Sequence, residues 1–336
     1  MKIIFFETSQ SEKESLSAIL PVADISFHEE RLSADNCDLA KDADVVSVFI
    51  NSKVTKNIID GIPNLKCITT RSTGYDHIDT AYAASKNISV MNVPAYGSET
   101  VAEYTFALIL TLSRKVFDAC HQIKEGGNFS ISKLKGFDLY GKTIGVVGTG
   151  RIGKNVGRIA RGFGMNVVAY DLHPDEIFAK ENNVTYKSFF DVLGEADILS
   201  LHAPYNKGDK HLIDKEAVAH MKKGVYIINT ARGELIDTGA LINGLNEKII
   251  AGAGLDVIEG EREIKEETEW FSAKGNIMAI EDYKTLLEDH MLMDMPQVII
   301  TPHIAFYSKE AEENILKTTA GNISSFISGT PQNIVK

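Results

Sequence analysis

The sequence of 336 residues has few cysteines and no apolar run long enough to cross a membrane. Its three cysteines, Cys37, Cys67 and Cys120, are scattered and odd in number, which argues against a disulfide framework and for a reducing compartment. No Cys-x-x-Cys pair or histidine cluster indicates a metal site. The N-terminal apolar run of four residues is too short for a secretion signal. We therefore expect a cytoplasmic protein that binds neither a metal nor a membrane.

Positive charge is also scarce, because 35 Lys and Arg residues stand against 46 Asp and Glu residues and the formal net charge is −11. Nucleic-acid binding depends on clustered Lys and Arg, so nucleic acid is not expected as a partner. An anionic substrate would need a local positive group, since the overall field repels it. The length, with 44% hydrophobic and 24% charged residues, is typical of a globular protein of two domains.

Residues 142–171 carry the most informative pattern in the chain. An apolar run predicts a buried strand, Gly148, Gly150 and Gly153 follow it as G-x-G-x-x-G, and a helical pattern then leads to a second strand that ends at Asp171. Such glycines permit a tight turn, close approach of a pyrophosphate to a helix N-terminus, and close helix packing. These residues predict a dinucleotide site.

Asp171 further specifies the expected dinucleotide. It lies 18 residues after Gly153, where a carboxylate can hold the ribose hydroxyls. A 2′-phosphate would be repelled by this carboxylate, and the following LHPDE supplies no Lys or Arg to bind one. NAD is therefore the expected cofactor, rather than NADP.

Strand and helix patterns alternate before and after this motif, which predicts an α/β protein of two doubly wound parallel sheets. We predict a flavodoxin-like substrate domain at 1–97 plus 305–336, and a Rossmann NAD-binding domain at 98–304. One long helix is predicted at 98–124. Its apolar surface is wider than one core face needs, so it is expected to lie between the domains and to contribute to a homodimer. The predicted strands are 2–6, 44–50, 66–70, 88–92, 144–147, 167–170, 198–202, 225–229, 250–255 and 298–300.

Two segments near the C-terminus stand apart from this alternation. The stretch 262–296 is polar and acidic and carries the only Trp. It is interpreted either as a surface excursion near the site or as a solvated helical flap, with no assigned chemistry. An amphipathic helix is predicted at 309–328 and is expected to return to the first domain.

Three predicted strands are followed by side chains capable of chemistry, and ligands of open α/β sheets bind outside the carboxyl ends of strands. Arg232 can hold a carboxylate through two hydrogen bonds, and His303 can exchange a hydroxyl proton. Glu261 can orient the imidazole and favour its charged form. Taken singly, these residues have ordinary explanations as a surface ion pair, a structural histidine and a solvated acid. Together, at the ends of successive strands, they suit a hydride-transfer site.

Four segments, GTGRIG, NTARGELID, GLDVIEGE and TPHIAFYS, resemble signatures of the D-isomer-specific 2-hydroxyacid dehydrogenases, and RSTGYDHID and NVPAYGSETVAE are also similar to that family. The similarity runs over nearly the whole chain, and the 262–296 insertion and the HIAFYS segment most resemble members that act on D-lactate. The resemblance implies Arg232 as the catalytic arginine, Glu261 as the catalytic glutamate and His303 as the acid–base histidine. It implies NAD-dependent interconversion of a D-2-hydroxyacid and a 2-oxoacid, with D-lactate and pyruvate as the favoured pair.

The resemblance also implies contacts with the two small molecules. Arg151 and Ile152 would offer backbone N–H groups to the pyrophosphate, and Asp256 would accept from the nicotinamide amide. Asp209 stands where the family often carries Asn or Thr. The residues expected at the cofactor are Gly148, Gly150, Arg151, Ile152, Gly153, Asp171, Ala203, Pro204, Asp209, Thr230, Ala231, Arg232 and Asp256. Those expected at the substrate are Thr73, Gly74, Tyr96, Arg232 and His303, with Phe49 and Tyr307 as further pocket candidates.

Several alternatives stay open at this point. Related dehydrogenases act on hydroxypyruvate, phosphoglycerate or branched 2-oxoacids. A phosphoglycerate site would need a basic cluster around the first domain, which the sequence lacks, and a bulkier 2-oxoacid would need a smaller residue than Phe49. A different class, an NAD-binding regulator that retains the catalytic residues, is also compatible with the motifs.

Overall fold

The computed structural model describes residues 1–20, 24–205, 208–261, 264 and 280–335. The chain divides into two compact units, Met1–Gly97 with Tyr307–Lys336, and Ser98–Phe306. Each unit is built on a parallel sheet with helices packed against it. The predicted fold class of two doubly wound parallel-sheet domains is therefore confirmed.

The first unit contains a five-stranded sheet in the order β2-β1-β3-β4-β5, the flavodoxin-like order. Its C-terminal helix packs against the first helix and the fourth strand of this unit. The strands are β1 (Ile3–Phe5), β2 (Ile25–Phe27), β3 (Val45–Val48), β4 (Cys67–Thr70) and β5 (Ser89–Met91). The helices are α1 (Gln10–Ile19), α2 (Lys56–Asp60), α3 (Thr80–Ser85) and the C-terminal α12 (Lys309–Ile327).

The second unit contains a seven-stranded sheet in the order β12-β11-β10-β9-β6-β7-β8. The chain order reverses between β6 and β9, and ligands of such sheets bind at that switch point. The strands are β6 (Thr143–Val147), β7 (Asn166–Tyr170), β8 (Val184–Tyr186), β9 (Ile198–Leu201), β10 (Val225–Asn229), β11 (Ile250–Leu255) and β12 (Val298–Ile300). The helices are α4 (Ser98–Arg114), α5 (Val116–Gly126), α6 (Arg151–Gly162), α7 (Glu176–Asn182), α8 (Phe189–Glu195), α9 (Lys215–His220), α10 (Thr238–Asn246) and α11 (Ile280–Met293).

The single helix predicted at 98–124 is wrong, because the chain breaks it into α4 and α5 at Lys115. This residue has a φ of 55°, in the left-handed region that ends a right-handed helix. A loop from later in the chain meets the helix at this break, where the N–H of Phe137 donates to the carbonyl of Ser113 at 2.9 Å. A Cβ on Gly136 would lie 2.1 Å from that carbonyl oxygen, so the incoming loop approaches the helix end as only glycine allows. Helical periodicity alone gave no signal of this approach.

The 262–296 segment is partly helical and partly buried. Most of its described portion is α11, where Leu286, Asp289 and Leu292 are each at most 4% exposed. The helix packs against α10 and β12, so this portion is not a solvated flap. Residues 262, 263 and 265–279, including the only Trp, lie outside the described residues.

Among the residues that the structure describes, no helix combines the length and the apolar character needed to cross a membrane. The same part of the chain contains no group of three or more His, Cys, Asp or Glu side chains placed to bind a metal ion.

Candidate active site

The glycine-rich turn after β6 requires glycine for steric reasons. Gly148 has a φ of 89°, and a Cβ there would lie 2.7 Å from backbone atoms of His202 and Ala203. A Cβ on Gly153 would lie 2.0 Å from the carbonyl oxygen of Gly148. The turn is therefore pressed against the end of β9, which places Ala203 and the adjacent Pro204 beside it.

The N-terminus of α6 has the features of a phosphate site. Gly150 is its N-cap and provides no side-chain cap, so the first N–H groups of the helix have no capping side chain. A Cβ built on Gly150 meets no atom within 4 Å, so there is open space beside this N-cap, which directly precedes Arg151 and Ile152, the first two helical residues. A helix N-terminus with accessible N–H groups suits a pyrophosphate, so these residues fit a dinucleotide.

Asp171 is tied to the glycine-rich turn. Its Oδ2 accepts from the N–H of Thr149 at 2.6 Å and from Thr149 Oγ1 at 2.9 Å, and its Oδ1 accepts from the N–H of His173 at 2.9 Å. Partial burial would raise the pKa of Asp171, but these hydrogen bonds outweigh it and leave the pKa below its ordinary value. Thr149 Oγ1 also lies 2.8 Å from the hydroxyl of Tyr186. Sequence reasoning missed Thr149, which stands at a variable position of the G-x-G-x-x-G pattern, and Tyr186, which stands outside the motifs.

The loop after β10 is organised by the amide of Asn229. Its Oδ1 accepts from the N–H of Ala231 at 3.0 Å, and its Nδ2 donates to the carbonyl of Arg232 at 2.7 Å. Thr230 is buried, with its hydroxyl 3.0 Å from that of Thr105 on α4. The guanidinium of Arg232 donates from Nη1 to the carbonyl of Ala231 at 2.7 Å. The arginine thus projects from a loop whose backbone is fixed by side-chain hydrogen bonds.

His303 and Glu261 form a direct pair. His303 Nδ1 lies 3.0 Å from each carboxylate oxygen of Glu261, and both side chains are about three-quarters buried. The carboxylate orients the ring and favours the tautomer that carries a proton on Nδ1. This arrangement leaves Nε2 as the ring nitrogen able to exchange a proton with a substrate.

Asp256 anchors the loop that carries His303. Its carboxylate accepts from Thr301 Oγ1 at 2.6 Å and from the N–H groups of Ile304 and Ala305 at 2.9 and 2.8 Å. Burial raises the pKa of Asp256. The three hydrogen bonds and, separately, the charge of the neighbouring His303 oppose that rise only in part. The carboxylate of Asp256 thus accepts from three donors of one loop. This structural role is in addition to the contact with nicotinamide that the resemblance implies.

The segment that carries Glu261 is held on both sides. Glu259 Oε1 lies 2.7 Å from His211 Nε2, and its Oε2 accepts from Thr238 Oγ1 at 3.0 Å. Gly260 donates its N–H to Asp289 Oδ2 at 3.0 Å, and a Cβ on Gly260 would lie 2.2 Å from that oxygen. The middle glycine of the E-G-E segment is therefore a packing requirement. His211 and Asp289 gave no signal in the sequence because both are distant along the chain.

The backbone also brings the Arg232 loop against the Glu261 segment. A Cβ on Gly233 would lie 2.0 Å from the carbonyl oxygen of Ile258. Burial is the main cause that raises the pKa of Glu234; the nearby Arg232 opposes the rise, and two neighbouring carboxylates, one of them Glu261, add to it. Arg232, Glu261 and His303 are thus brought into one region of the second unit.

Most of the remaining expected residues belong to the first unit. Thr73 Oγ1 donates to the carbonyl of Val93 at 2.8 Å, and the carbonyl of Gly74 accepts from Ser72 Oγ at 2.6 Å. Tyr96, which accepts from Asn314 through its carbonyl, is in the same first unit as Thr73 and Gly74. Phe49 and Tyr307 are also in the first unit. Asp209 is exposed in the second unit, and its carbonyl lies 3.4 Å from the hydroxyl of Tyr205.

A family model of the D-isomer specific 2-hydroxyacid dehydrogenase NAD-binding domain matches residues 106–305. The chain belongs to the D-isomer-specific 2-hydroxyacid dehydrogenases. It is similar over its whole length to 2-hydroxyacid dehydrogenase homolog 1 of Schizosaccharomyces pombe, with 38% identity and full coverage of both chains. An aromatic 2-oxoacid reductase of Clostridium sporogenes is 41% identical over 88% of this chain and 86% of its own.

A solved structure gives the same assignment. The D-lactate dehydrogenase of Aquifex aeolicus, in complex with NAD and lactic acid, superposes with a TM-score of 0.86 at 36% identity and covers 99% of both chains. This dehydrogenase is therefore an NAD-binding oxidoreductase, and the predicted family and cofactor are confirmed.

Proposed function

We propose that this dehydrogenase interconverts pyruvate and D-lactate with NAD. The observation that carries the proposal is the pairing of His303 Nδ1 with both oxygens of Glu261, in the same unit as Arg232 and the glycine-rich turn. A dinucleotide site, a fixed arginine and an oriented imidazole are the groups that reduction of a 2-oxoacid requires. The similarity to a D-lactate dehydrogenase over the whole chain favours pyruvate among the substrates.

The proton is assigned to His303. In the reductive direction, its Nε2 donates a proton to the carbonyl oxygen of the substrate as negative charge develops there. Glu261 keeps the ring oriented and stabilises the imidazolium before the transfer. NADH, bound at the glycine-rich turn, supplies the hydride to the carbonyl carbon.

The substrate carboxylate is assigned to Arg232 and to backbone donors. A guanidinium binds a carboxylate through two parallel hydrogen bonds, and it also stabilises charge on the carbonyl oxygen. We propose that the N–H groups of Thr73 and Gly74 bind the same carboxylate. Neither of these N–H groups donates to another residue within the described chain, which supports that role. Phe49 is proposed to line the pocket for the substrate side chain, with Tyr96 and Tyr307 as further contacts.

Reduction of aromatic 2-oxoacids is the second candidate activity. It is favoured by the 41% identity to the aromatic 2-oxoacid reductase. The two candidates differ in the volume required for the side chain of the substrate: a methyl group for pyruvate and a benzyl group for phenylpyruvate. Phe49 stands at the carboxyl end of β3 and is only partly exposed, which favours the smaller side chain.

A substrate panel tests the proposal. The oxidation of NADH is followed with pyruvate, hydroxypyruvate, glyoxylate, 2-oxoisocaproate and phenylpyruvate, and the product of the best substrate is resolved by chiral chromatography. We expect the highest kcat/KM with pyruvate and a D-configured product. A higher value with phenylpyruvate would select the second candidate. Tight NADH binding without turnover of any of these acids would contradict the enzyme proposal and favour an NAD-binding regulator.

Asp171→Ala is expected to change the choice between NADH and NADPH. The variant loses the carboxylate that would accept from the ribose hydroxyls and repel a 2′-phosphate. The ratio of kcat/KM for NADPH to that for NADH should rise by about tenfold or more, since a close like charge costs more than about 1.4 kcal/mol. Asp191→Ala, which removes a surface carboxylate from α8, is the control and should leave this ratio unchanged. An unchanged ratio in Asp171→Ala would show that Asp171 does not select the cofactor.

We also propose a homodimer formed through α5 and the segment after it. The apolar residues of α4 are covered within its own unit, where Ala102, Phe106 and Ile109 are buried. In contrast, α5 has no buried residue, and Phe117 on it is 59% exposed. Exposed apolar patches of this kind are typical of interfaces between subunits, and closed twofold dimers are the commonest assembly.

Phe117→Glu is expected to give a monomer at micromolar concentration, because a buried unpaired carboxylate would oppose association. Sedimentation velocity measures the outcome. Leu287→Glu is the matched control, since Leu287 is a similarly exposed apolar residue on α11. A wild-type chain that sediments as a monomer would contradict the dimer, and an unchanged dimer in Phe117→Glu would place the interface elsewhere.

A cytoplasmic location is inferred from the cysteines. Cys37, Cys67 and Cys120 are all free thiols. Disulfides are rare in the cytoplasm because the compartment is reducing, and the chain is compatible with that environment.

A further inference from the structure

The carboxylate of Glu7 organises the turn that begins at Phe49. Its Oε2 accepts from the N–H of Phe49 at 3.0 Å and also from the hydroxyl of Ser52. Its Oε1 accepts from the N–H of Asn51 at 2.9 Å. One side chain therefore binds three donors of a four-residue segment, and that segment lies more than 40 residues further along the chain.

The backbone of Glu7 adopts a conformation that places its side chain under this turn. Its φ is 53°, in the left-handed region that non-glycine residues rarely occupy. The carbonyl of Glu7 accepts from Arg71 Nη2 at 2.6 Å, and its N–H donates to the carbonyl of Glu30 at 3.0 Å. Surrounding contacts thus hold the residue in a conformation that it would not adopt alone.

Arg71 stabilises both Glu7 and Phe49. This guanidinium is 1% exposed and donates from Nη2 to the carbonyl of Phe6 at 2.8 Å as well as to Glu7. Its Nη1 donates to Ser47 Oγ at 3.3 Å, and its Cζ lies 5.9 Å from the centre of the Phe49 ring. That distance is within the range of a cation–π interaction. The backbone of Phe49 is therefore bound by Glu7, and its ring is contacted by Arg71.

The location of this cluster relates it to the substrate rather than to folding alone. Phe49 follows the carboxyl end of β3, and Arg71 follows the carboxyl end of the neighbouring β4. Arg71 precedes Thr73, whose N–H is a proposed carboxylate donor, by two residues. The edge of a parallel sheet formed by strand carboxyl ends is where ligands bind.

We propose that Glu7 is a positioning residue that fixes Phe49 and thereby restricts the substrate pocket to 2-oxoacids with a small side chain. The inference rests on the proposed function, because it assumes that Phe49 borders the 2-oxoacid. Glu7 itself touches no substrate: it acts through the backbone and ring position of Phe49. Loosening the turn would let the ring move and admit larger side chains.

Glu7→Gln tests the proposal with little change in volume. The amide keeps one acceptor oxygen, so it cannot serve the donors on both sides of the carboxylate. We expect the ratio of kcat/KM for phenylpyruvate to that for pyruvate to rise by about tenfold. The change should lie mainly in KM, with kcat for pyruvate nearly unchanged. Ser52→Ala, which removes one donor, should shift the ratio in the same direction by less, and it serves if Glu7→Gln does not fold.

Asp44→Asn is the matched control at the opposite end of the same strand. Asp44 immediately precedes β3 and accepts from the N–H of Lys2 at 2.9 Å and from Lys66 Nζ at 2.6 Å. Loss of these bonds should lower the melting temperature without changing the substrate ratio. A ratio that follows stability in both variants would reduce Glu7 to a structural residue and overturn the proposal.

A double-mutant cycle tests whether Glu7 acts through Phe49. In a Phe49→Ala background, Glu7→Gln should no longer change the substrate ratio, because the ring that it positions is absent. An equal effect in both backgrounds would overturn the proposal. The proposed function fails separately, and the inference with it, if the wild-type chain reduces no 2-oxoacid. A wild type that reduces pyruvate while Glu7→Gln keeps the same ratio would overturn the inference alone.

Discussion

His303→Ala is expected to lower kcat for pyruvate reduction by about 10³-fold, because positioned acid–base groups contribute roughly 10²- to 10⁴-fold to such reactions. The variant loses the proton donor while the glycine-rich turn and Asp171 stay intact, so NADH affinity should be nearly unchanged. Stopped-flow reduction measures the rate and fluorescence titration measures NADH binding. The loop itself should persist, since Asp256 binds it through Thr301, Ile304 and Ala305 rather than through the imidazole.

His220→Ala is the control for the loss of a histidine, because His220 lies exposed on α9, where its Nδ1 contacts the carbonyl of Glu216 and its ring packs on Phe190. Its rate should equal that of the wild type. Glu261→Gln should keep more activity than His303→Ala, since the imidazole remains in place. A His303→Ala variant with wild-type kcat would remove His303 from the mechanism.

Arg232→Ala is expected to lower kcat/KM for pyruvate by roughly 10³-fold, which corresponds to about 4 kcal/mol of lost transition-state stabilisation. Both the binding of the substrate carboxylate and the stabilisation of the carbonyl oxygen are lost, so KM should rise and kcat should fall together. Arg232→Lys restores the charge but not the paired geometry, and we expect an intermediate value. Steady-state kinetics at saturating NADH measures all three proteins.

Arg158→Ala controls for the loss of an arginine in the same unit. Arg158 lies exposed on α6 and donates from Nη1 to Asn155 Oδ1 at 2.6 Å. Its removal should leave kcat/KM for pyruvate unchanged. If Arg232→Ala raised only the KM for NADH and left the pyruvate parameters intact, the arginine would belong to the cofactor site and the proposed carboxylate contact would be wrong.

The strands were the most predictable part of the fold. The bounds predicted for β10, β11 and β12 agree with the structure, because strands of a parallel sheet covered by helices are apolar runs bordered by turn residues. The edge strands β2 and β8 were not predicted. Each has only three residues with a polar residue in the middle, Ser26 or Thr185, so neither forms the continuous apolar run that made β12 predictable. The helix break at Lys115 was missed for a different reason, since its cause is a loop that approaches from more than 20 residues away.

The site residues also divide into those that the sequence predicted and those that it did not. Arg232, Glu261 and His303 could be named from the sequence because each stands in a short motif after a strand. The residues that hold the surrounding turns could not: Tyr186 reaches Thr149 of the glycine-rich turn across 37 residues, and Asp289 reaches Gly260, next to Glu261, across 29. Neither partner belongs to a motif, and their chemistry is that of common polar residues.

By itself the sequence determined the α/β class, the NAD-binding turn and the residue types of the catalytic set. These depend on local spacing, since a strand, a tight turn and a helix N-terminus are properties of a few consecutive residues. Only the tertiary structure decided which distant side chains meet. Asp256 holds the His303 loop, and Glu7 holds the Phe49 turn, because strand order brings the carboxyl ends of neighbouring strands to one edge of each sheet. Strand order is a property of the whole packed sheet, and no local pattern encodes it.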